Sequence, residues 1–258
     1  MKVVALVSGV ASGIGKCIAE KLCDSGITVF GLDNNNVKTE KFSFYKCDVS
    51  NEKEVILCIN EIIKQTNKID YLINVAGIFC YKGRYKIEEL PLEEWNRVFE
   101  ANLRSVFLLS KYSIQLLKNS NNGNIINLSS EQVVLPQEKS VPYAVTKAAI
   151  EMFSKIMAME LLENKIRVNT IALASVRTDF LKSYVRDERK IKEMMIKTDA
   201  KMPFGIIEPS DVYNLVNYLL SDANKITGQT ILIDSGMVIA VNRKNKGENN
   251  EQKDDTRI

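Results

Sequence analysis

A tyrosine and a lysine four residues apart, Tyr143 and Lys147, are the first candidates for chemistry in this chain. On a helix, positions i and i+4 share a face, so the phenol and the ammonium would be neighbours. A nearby cation lowers the pKa of a tyrosine, which makes Tyr143 a candidate general acid and base. The chain has no histidine, so histidine triads, bases and metal ligands are excluded. With nine tyrosines present, this spacing alone would arise by chance about once.

A glycine-rich segment from Ser8 to Gly15 is a candidate phosphate-binding loop. It follows a short apolar run and precedes a helical pattern. Glycines there permit a tight turn and a close backbone approach, and the helix N-terminus offers free N–H groups to a pyrophosphate. A purely structural glycine turn is the alternative. The residues that we expect to contact a cofactor are Gly9, Ser12, Gly13, Ile14 and Gly15.

Asp33 ends the second apolar run of the chain. A carboxylate at that point can accept hydrogen bonds from both hydroxyls of an adenosine ribose, and it would repel a 2′-phosphate. Neither Ser12 nor Asn34 supplies the positive charge that such a phosphate needs. NAD is therefore favoured over NADP. Alternatively, Asp33 starts a turn with the three asparagines that follow it.

Apolar runs alternate with helix-period segments from the first residues to about residue 235, and this order positions the candidate residues. Strands alternating with helices imply right-handed βαβ units, so we predict a single α/β domain with a doubly wound parallel sheet of about seven strands and helices on both faces. The predicted strands are 3–7, 28–32, 42–45, 69–75, 124–128, 166–172 and 229–233, and the predicted helices are 14–24, 52–65, 92–118, 141–162 and 209–221.

The overall composition excludes several classes of protein. The net charge of the 258 residues is only +3, which argues against a nucleic-acid partner. The chain has no apolar run of about 18 residues, so no membrane span is expected. Its five cysteines are irregularly spaced, which indicates reduced thiols in the cytoplasm and no metal site.

Two segments depart from the alternating pattern. Residues 180–205, inside a domain expected to span 1–242, carry seven Lys/Arg against four Asp/Glu with apolar residues interleaved. Such an insertion is a candidate lid, or alternatively a solvated surface helix. Residues 243–258 are polar, and we expect a disordered tail.

Taken together, these motifs resemble those of the short-chain dehydrogenase/reductase family, in its main single-domain branch. The resemblance runs from residue 3 to about residue 236. The family's T-G-x-x-x-G-x-G motif is matched with Ser8 in place of threonine. Ser130 lies thirteen residues before Tyr143, as is usual in the family, and Asn102 falls on its catalytic asparagine. Further matches are Asp48-Val49, Asn74-Val75-Ala76-Gly77, Arg167-Val168-Asn169, Thr227-Gly228-Gln229 and Asp234-Ser235-Gly236.

The resemblance implies a Rossmann fold and hydride transfer between a nicotinamide and a carbon that bears oxygen. Tyr143 would exchange the hydroxyl proton, Lys147 would lower its pKa, and Ser130 would hold the substrate oxygen. Asn102 would kink its helix and support a proton relay. Ser129 competes with Ser130 for its role, and Asn102 could be an ordinary helix residue. Implied cofactor contacts, beyond the glycine segment and Asp33, are Asp48, Val49, Asn74, Ala76, Gly77, Tyr143, Lys147, Val176 and Thr178.

The chain departs from the family pattern in two places. Leu173-Ala174 stands where the family has Pro-Gly, which puts the shape of the nicotinamide loop in question. Only fifteen residues separate Asp33 from Asp48, so the helix usual there is expected to be reduced to a loop.

The resulting prediction is an NAD-dependent oxidoreductase that acts on a small-molecule secondary alcohol or ketone. Three alternatives stay open: a cyclic dihydrodiol dehydrogenase of the 2,3-dihydro-2,3-dihydroxybenzoate type, a 3-oxoacyl-type reductase, and a non-catalytic NADH-binding scaffold. The family's usual dimer faces are the helices at 92–118 and 141–162, so the resemblance also implies a homotetramer or a dimer.

Overall fold

The computed structural model describes residues 2–80, 84–180 and 187–241. They form a seven-stranded sheet with the strand order β3-β2-β1-β4-β5-β6-β7, and every neighbouring pair within these ranges is parallel. The predicted Rossmann-like fold of one domain is confirmed. The strands are β1 Val4–Ser8, β2 Thr28–Asp33, β3 Ser43–Lys46, β4 Tyr71–Asn74, β5 Asn124–Ser130, β6 Arg167–Leu173 and β7 Thr230–Ile233.

Helices cover both faces of the sheet. On β1, Ala5 and Val7 pack into one buried cluster, whereas Val4 and Leu6 pack into another, because successive strand residues point to opposite faces. This explains why β1 is an almost continuous apolar run. The first cluster includes α1 and α7, and the second includes α2, α4 and α5. The helices are α1 Gly13–Asp24, α2 Glu52–Ile63, α3 Leu92–Phe99, α4 Ser105–Lys118, α5 Val141–Glu160, α6 Glu188–Asp199 and α7 Pro209–Ser221.

The strand order reverses at β1, which lies between β2 and β4. At such a point the connections on the two sides leave the sheet in opposite directions, and a crevice opens beyond the carboxyl ends of the strands. The glycine-rich segment leaves β1 at this crevice and continues into α1. The topology therefore brings the candidate residues to one edge of the sheet.

The predicted helix over 92–118 is interrupted in the structure. A π-helical segment, Glu100–Arg104, separates α3 from α4. The sequence pattern predicted one continuous helix because all three pieces share helix-forming residues. The interruption coincides with Asn102, whose side chain makes contacts outside its own helix.

The two unusual segments of the sequence are partly described. Residues 34–42, all within the described part, contain no helix, as the short gap after Asp33 predicted. The insertion over 180–205 contains α6, all of whose residues are described and none of which is buried. Residues 181–186 and the predicted tail over 243–258 lie outside the described residues. Among the described residues, no helix has the length and apolar character needed to cross a membrane.

Candidate active site

A cavity of about 960 Å³ opens at the carboxyl edge of the sheet. The glycine-rich segment forms one wall, and its shape depends on glycine. Gly9 has a φ of +76°, which favours glycine. A Cβ on Gly15 would lie 2.1 Å from the carbonyl oxygen of Gly9, so α1 can begin this close to the loop only with glycine at position 15. The start of α1 therefore faces the cavity with free N–H groups.

The residues predicted to contact a cofactor line this one cavity, with one exception. The cavity fits a dinucleotide. The glycine loop leaves a space that Cβ atoms would fill, and this space lies beside the N-terminus of α1, where a pyrophosphate can bind. Asn74, although described, lies outside the lining, and its Nδ2 donates to Asn127 Oδ1 at 2.7 Å between β4 and β5. The lining residues are Gly9, Ser12, Gly13, Ile14, Gly15, Asp33, Asp48, Val49, Ala76, Gly77, Tyr143, Lys147, Val176 and Thr178.

Asp33 lies at the end of β2 and holds the loop around it. Its Oδ2 accepts from the Ala11 backbone N–H at 2.9 Å, and its Oδ1 accepts from the Asn35 backbone N–H at 2.8 Å. Both the turn role and the cavity position expected from the sequence are therefore present. The carboxylate stands beside the glycine loop, where a negative charge would face the adenosine end of a dinucleotide.

Tyr143 and Lys147 lie one turn apart on α5. The Lys147 Nζ is 5.6 Å from the centre of the Tyr143 ring, and it donates to the Leu128 carbonyl at 3.0 Å. Lys147 is only 6% exposed, and burial lowers the pKa of its ammonium to about 8. The Phe79 ring contacts the Tyr143 ring at a centroid distance of 4.8 Å. The pair is therefore held in a partly apolar wall of the cavity.

Asn102 connects the π-helical segment to the loop after β4. Its side chain is fully buried, accepts from the Ile78 backbone N–H at 2.7 Å and donates to the Ile78 carbonyl at 3.0 Å. It also donates to Thr146 Oγ1, next to Lys147 in sequence. A Cβ on Gly77 would lie 3.1 Å from Asn102 Oδ1 and 3.7 Å from Lys147 Nζ, so these two side chains flank the same glycine.

The two candidate serines differ in their partners. Ser129 Oγ donates to Glu151 on α5 at 2.7 Å. Ser130 Oγ accepts from the Gln132 backbone N–H at 3.2 Å and donates to Glu131 Oε2 at 2.6 Å. Both serines line the cavity.

Comparison with known proteins identifies the family. A family model described as enoyl-(acyl carrier protein) reductase matches residues 9–238, which is most of the chain. The chain belongs to the short-chain dehydrogenase/reductase family. Its relatives in this family are oxidoreductases.

Two curated relatives and one solved structure show the range of this similarity. The chain is 32% identical to the 3-oxoacyl-[acyl-carrier-protein] reductase FabG of Vibrio cholerae, over 91% of this chain and 96% of that protein. It is 31% identical to the NAD-dependent glycerol dehydrogenase of Listeria innocua, over 92% and 94%. The ligand-free aldohexose dehydrogenase of Thermoplasma acidophilum has a TM-score of 0.86 and 29% identity, over 92% of this chain and 94% of that one.

Backbone contacts hold the loop in which Leu173-Ala174 replaces the Pro-Gly of the short-chain dehydrogenase/reductase family. The Ala174 backbone N–H donates to the Ile233 carbonyl at 2.9 Å, and Val176 forms a parallel bridge with Ile207. Thr178 then packs beside Gly13, since a Cβ there would meet its Cγ2 at 3.1 Å. Val176 and Thr178 consequently reach the cavity wall.

Sequence reasoning missed several polar residues that line the far side of the cavity. Glu131 is buried beside Ser130, Gln137 Nε2 lies 3.5 Å from Glu131 Oε1, and Arg84 donates to Gln137. The available signal was the position of Glu131 directly after the candidate serine. From the insertion, Met194, Met195, Thr198 and Lys201 line the same cavity.

Proposed function

We propose that this short-chain dehydrogenase/reductase transfers a hydride between NAD and a secondary alcohol or ketone, with Tyr143 as general acid and base. The observation that carries the proposal is the buried Lys147 beside Tyr143, in the cavity that the glycine loop also lines. An ammonium in a site with little water stabilises a neighbouring phenolate strongly. The tyrosine can then exchange a proton near neutral pH.

Each catalytic residue has a distinct task in this mechanism. NAD⁺, when bound along the glycine loop, supplies the acceptor for the hydride of the alcohol carbon. Tyr143 removes the hydroxyl proton in oxidation and returns it in reduction. Ser130 holds the substrate oxygen and stabilises its developing charge. Asn102 binds both backbone groups of Ile78 and so fixes the position of that loop relative to the π-helical segment and Lys147.

The preference for NAD over NADP rests on Asp33. Its carboxylate stands at the end of β2 beside the glycine loop, where it would accept from ribose hydroxyls and repel a 2′-phosphate. The described neighbours Asn34 and Asn35 are neutral, so they do not offset that repulsion. The Listeria relative, whose name states NAD dependence, supports the same assignment.

A 3-oxoacyl reductase is the second candidate function, because the Vibrio relative carries that name. Such an enzyme would reduce a ketone on an acyl chain with the same Tyr143. The dihydrodiol dehydrogenase has a relative of that name in Bacillus subtilis, 28% identical over 92% of this chain. The non-catalytic scaffold is disfavoured, because the complete set of Asn102, Ser130, Tyr143 and Lys147 would have no use in it.

We also propose that the protein acts as a homo-oligomer in the cytoplasm. Helix α5 exposes several large apolar side chains, which a partner copy would cover. All five cysteines are free thiols, which fits a reducing compartment.

The proposal is tested by mixing the purified protein with NAD⁺ or NADP⁺ and a panel of secondary alcohols, hydroxy acids, sugars, 3-hydroxyacyl thioesters and cyclic dihydrodiols. NADH formation is followed by near-ultraviolet absorbance. We expect turnover with NAD⁺ and at least tenfold less with NADP⁺, by the charge argument at Asp33. NADH binding without turnover on any alcohol or ketone would favour the scaffold instead.

A further inference from the structure

Two of the five cysteines, Cys47 and Cys58, meet between β3 and α2. Cys47 directly follows β3, Cys58 lies in the middle of α2, and only residues 47–51 connect the two elements. Both side chains belong to the same buried cluster, and a hydrogen bond joins their thiol groups. The Cys58 Sγ also lies 4.0 Å from the carbonyl oxygen of Lys46, the residue before Cys47. The two sulfur atoms are therefore neighbours in the folded chain.

The surroundings of Cys47 link this thiol pair to the candidate cofactor site. Cys47 lines the cavity at the carboxyl edge of the sheet, whereas Cys58, although described, lies outside the lining. The Cys47 backbone N–H donates to the Asp33 carbonyl at 2.8 Å. Cys47 also directly precedes Asp48 and Val49, which line the same cavity. A shift of Cys47 would therefore move the part of the wall in which Asp33 stands.

The contact between the two thiols makes their reactivities different. The hydrogen bond that Cys58 accepts from Cys47 lowers the pKa of Cys58, although burial acts in the opposite direction. The same hydrogen bond, together with burial, raises the pKa of Cys47. The thiolate is the reactive form of a cysteine, so Cys58 is the first of the pair to meet an oxidant. Cys47 is then the neighbouring thiol that can attack the oxidised sulfur.

We propose that Cys47 and Cys58 form a redox modification site, in which hydrogen peroxide converts the pair into a disulfide that weakens cofactor binding. The Cys58 thiolate attacks one peroxide oxygen and takes up its hydroxyl group, while the other leaves as hydroxide and becomes water with the proton that Cys58 released. Cys47 then attacks the sulfenic acid of Cys58, and the S–S bond forms as the hydroxyl group and the Cys47 proton leave as water. The two thiols lose two electrons and two protons, and one peroxide becomes two waters.

The geometry explains why the disulfide would act on the cofactor site. An S–S bond of about 2 Å is shorter than any contact between unbonded sulfur atoms, so the two residues must approach each other. Helix α2 is fixed by its buried face, which includes Val55 and Ile59, whereas Cys47 lies in a short connection. Cys47 therefore moves toward α2 and displaces the wall beside Asp33. This step rests on the proposed function, because it takes NAD to occupy the cavity.

Peptide mapping under non-reducing conditions tests whether the disulfide forms. Trypsin cleaves after lysine, and Lys53 separates the two cysteines, so Cys47 falls in peptide 47–53 and Cys58 in peptide 54–64. The full-length, cofactor-free protein is treated with hydrogen peroxide, and its remaining thiols are blocked before digestion. We expect the two peptides to be joined in about half of the protein or more, and dithiothreitol to separate them.

Fluorescence titration with NADH measures the effect on the cavity. We expect the Kd for NADH to rise roughly tenfold or more after oxidation, as for the loss of one good hydrogen bond, and to recover with dithiothreitol. Cys58→Ser changes a residue outside the cavity lining, so it should bind NADH as the wild type does, with or without peroxide. The matched control, Cys17→Ser with Cys23→Ser, removes two partly buried thiols of α1 and should keep both effects.

The two measurements fail separately. Absence of the joined peptides, or joining of Cys47 and Cys58 chiefly to other cysteines, would overturn the inference, and this result needs no variant. Joined peptides with an unchanged Kd for NADH would refute the effect on cofactor binding. A reduced protein that binds no NADH would instead remove the proposed function and the effect on binding with it, while the peptide map still decides whether the disulfide forms.

Discussion

Lys147 occupies an environment that its residue type normally avoids. Burial removes most of the water from its ammonium and lowers its pKa from the ordinary 10.5 to about 8. The Leu128 carbonyl compensates only in part, as a neutral acceptor. The same burial strengthens the field that the ammonium exerts on Tyr143. The structure therefore gives up stability at this position, and the proposed function explains why.

We expect Lys147→Met to stabilise the cofactor-free protein and to abolish its activity. The buried charge costs about 3 kcal/mol by the pKa difference, and losing the bond to Leu128 costs about 1 kcal/mol, which leaves a gain on the order of 2 kcal/mol at pH 7. Denaturant unfolding measures it. Because the folded pKa is the lower one, the gain is full below pH 8 and shrinks as the pH rises toward 10.5. A Lys147→Met variant that is inactive and also less stable than the wild type would contradict this account.

Asp33→Asn should shift the cofactor preference. The substitution keeps the shape of the side chain and an acceptor for the loop, but it removes the charge that would repel a 2′-phosphate. We expect the ratio of kcat/KM for NAD⁺ to that for NADP⁺ to fall by about 10- to 100-fold, the size of one close charge interaction. Asp24→Asn, at an exposed acid that ends α1, is the control and should leave the ratio unchanged. An unaltered ratio in Asp33→Asn would refute the assigned role.

At the residue scale, the sequence points to candidate site residues where spacing or position carries the signal, and their roles stay predictions. Tyr143 and Lys147 were found because one helical turn separates them, and Asp33 because it ends an apolar run. Glu131 was not identified, since no local sequence pattern reveals its burial or its contact with Gln137. Asn74 stays a predicted cofactor contact; its amide donates to Asn127 across two strands, and Asn74 lies outside the cavity lining.

At the scale of elements, the π-helical segment between α3 and α4 is the main feature that the periodicity did not predict. One helix was expected over 92–118, since nothing in the local sequence breaks the pattern. The interruption is associated with a tertiary contact, in which Asn102 bonds both backbone groups of Ile78. The resemblance to the family had implied a kink at Asn102, and the segment lies there. Strand positions, in contrast, were predicted to within about two residues, because the strands between the two sheet edges are largely buried on both faces and give clear apolar runs.

Asn102→Asp should destabilise the protein strongly. The aspartate keeps the acceptor for the Ile78 N–H but loses the donor to the Ile78 carbonyl and to Thr146, and it brings a charge into a fully buried site. We expect a loss of about 2–4 kcal/mol in the free energy of unfolding. Asn96→Asp, at an exposed position of α3, should change it by less than about 0.5 kcal/mol. Similar losses in both variants would show that the contact with Ile78 is unimportant.

At the scale of the whole molecule, the reversal of strand order at β1 explains why distant residues share one cavity. The glycine loop, Asp33, the β5 serines and the 173–178 loop all lie at or directly after the carboxyl ends of parallel strands. The alternation of strands and helices was sufficient to predict this arrangement. The same alternation did not define the part of the cavity that α6 lines. None of the α6 side chains is buried, so no apolar pattern marks this part of the cavity in the sequence.

The exposed apolar side chains of α5 predict self-association. Val145, Met152, Ile156 and Met159 are 42%, 57%, 48% and 72% exposed, and their spacing aligns them along the helix. We expect a tetramer or dimer by analytical ultracentrifugation, and smaller species for the double variant Met152→Glu, Ile156→Glu, because burying two carboxylates would be costly. Lys53→Glu, at an exposed position of α2 outside both expected dimer faces, should retain the assembly. A monomeric wild-type protein would contradict the prediction.

The most direct test of the central claim compares wild type with Tyr143→Phe, using the best alcohol of the substrate panel and NAD⁺. The variant lacks only the phenolic oxygen, so the ring contact with Phe79 can remain. We expect kcat to fall by roughly 1000-fold or more, while NADH affinity, measured by fluorescence titration, stays within about threefold. A variant that binds NADH and keeps more than a tenth of the wild-type kcat would show that Tyr143 is not the general acid and base.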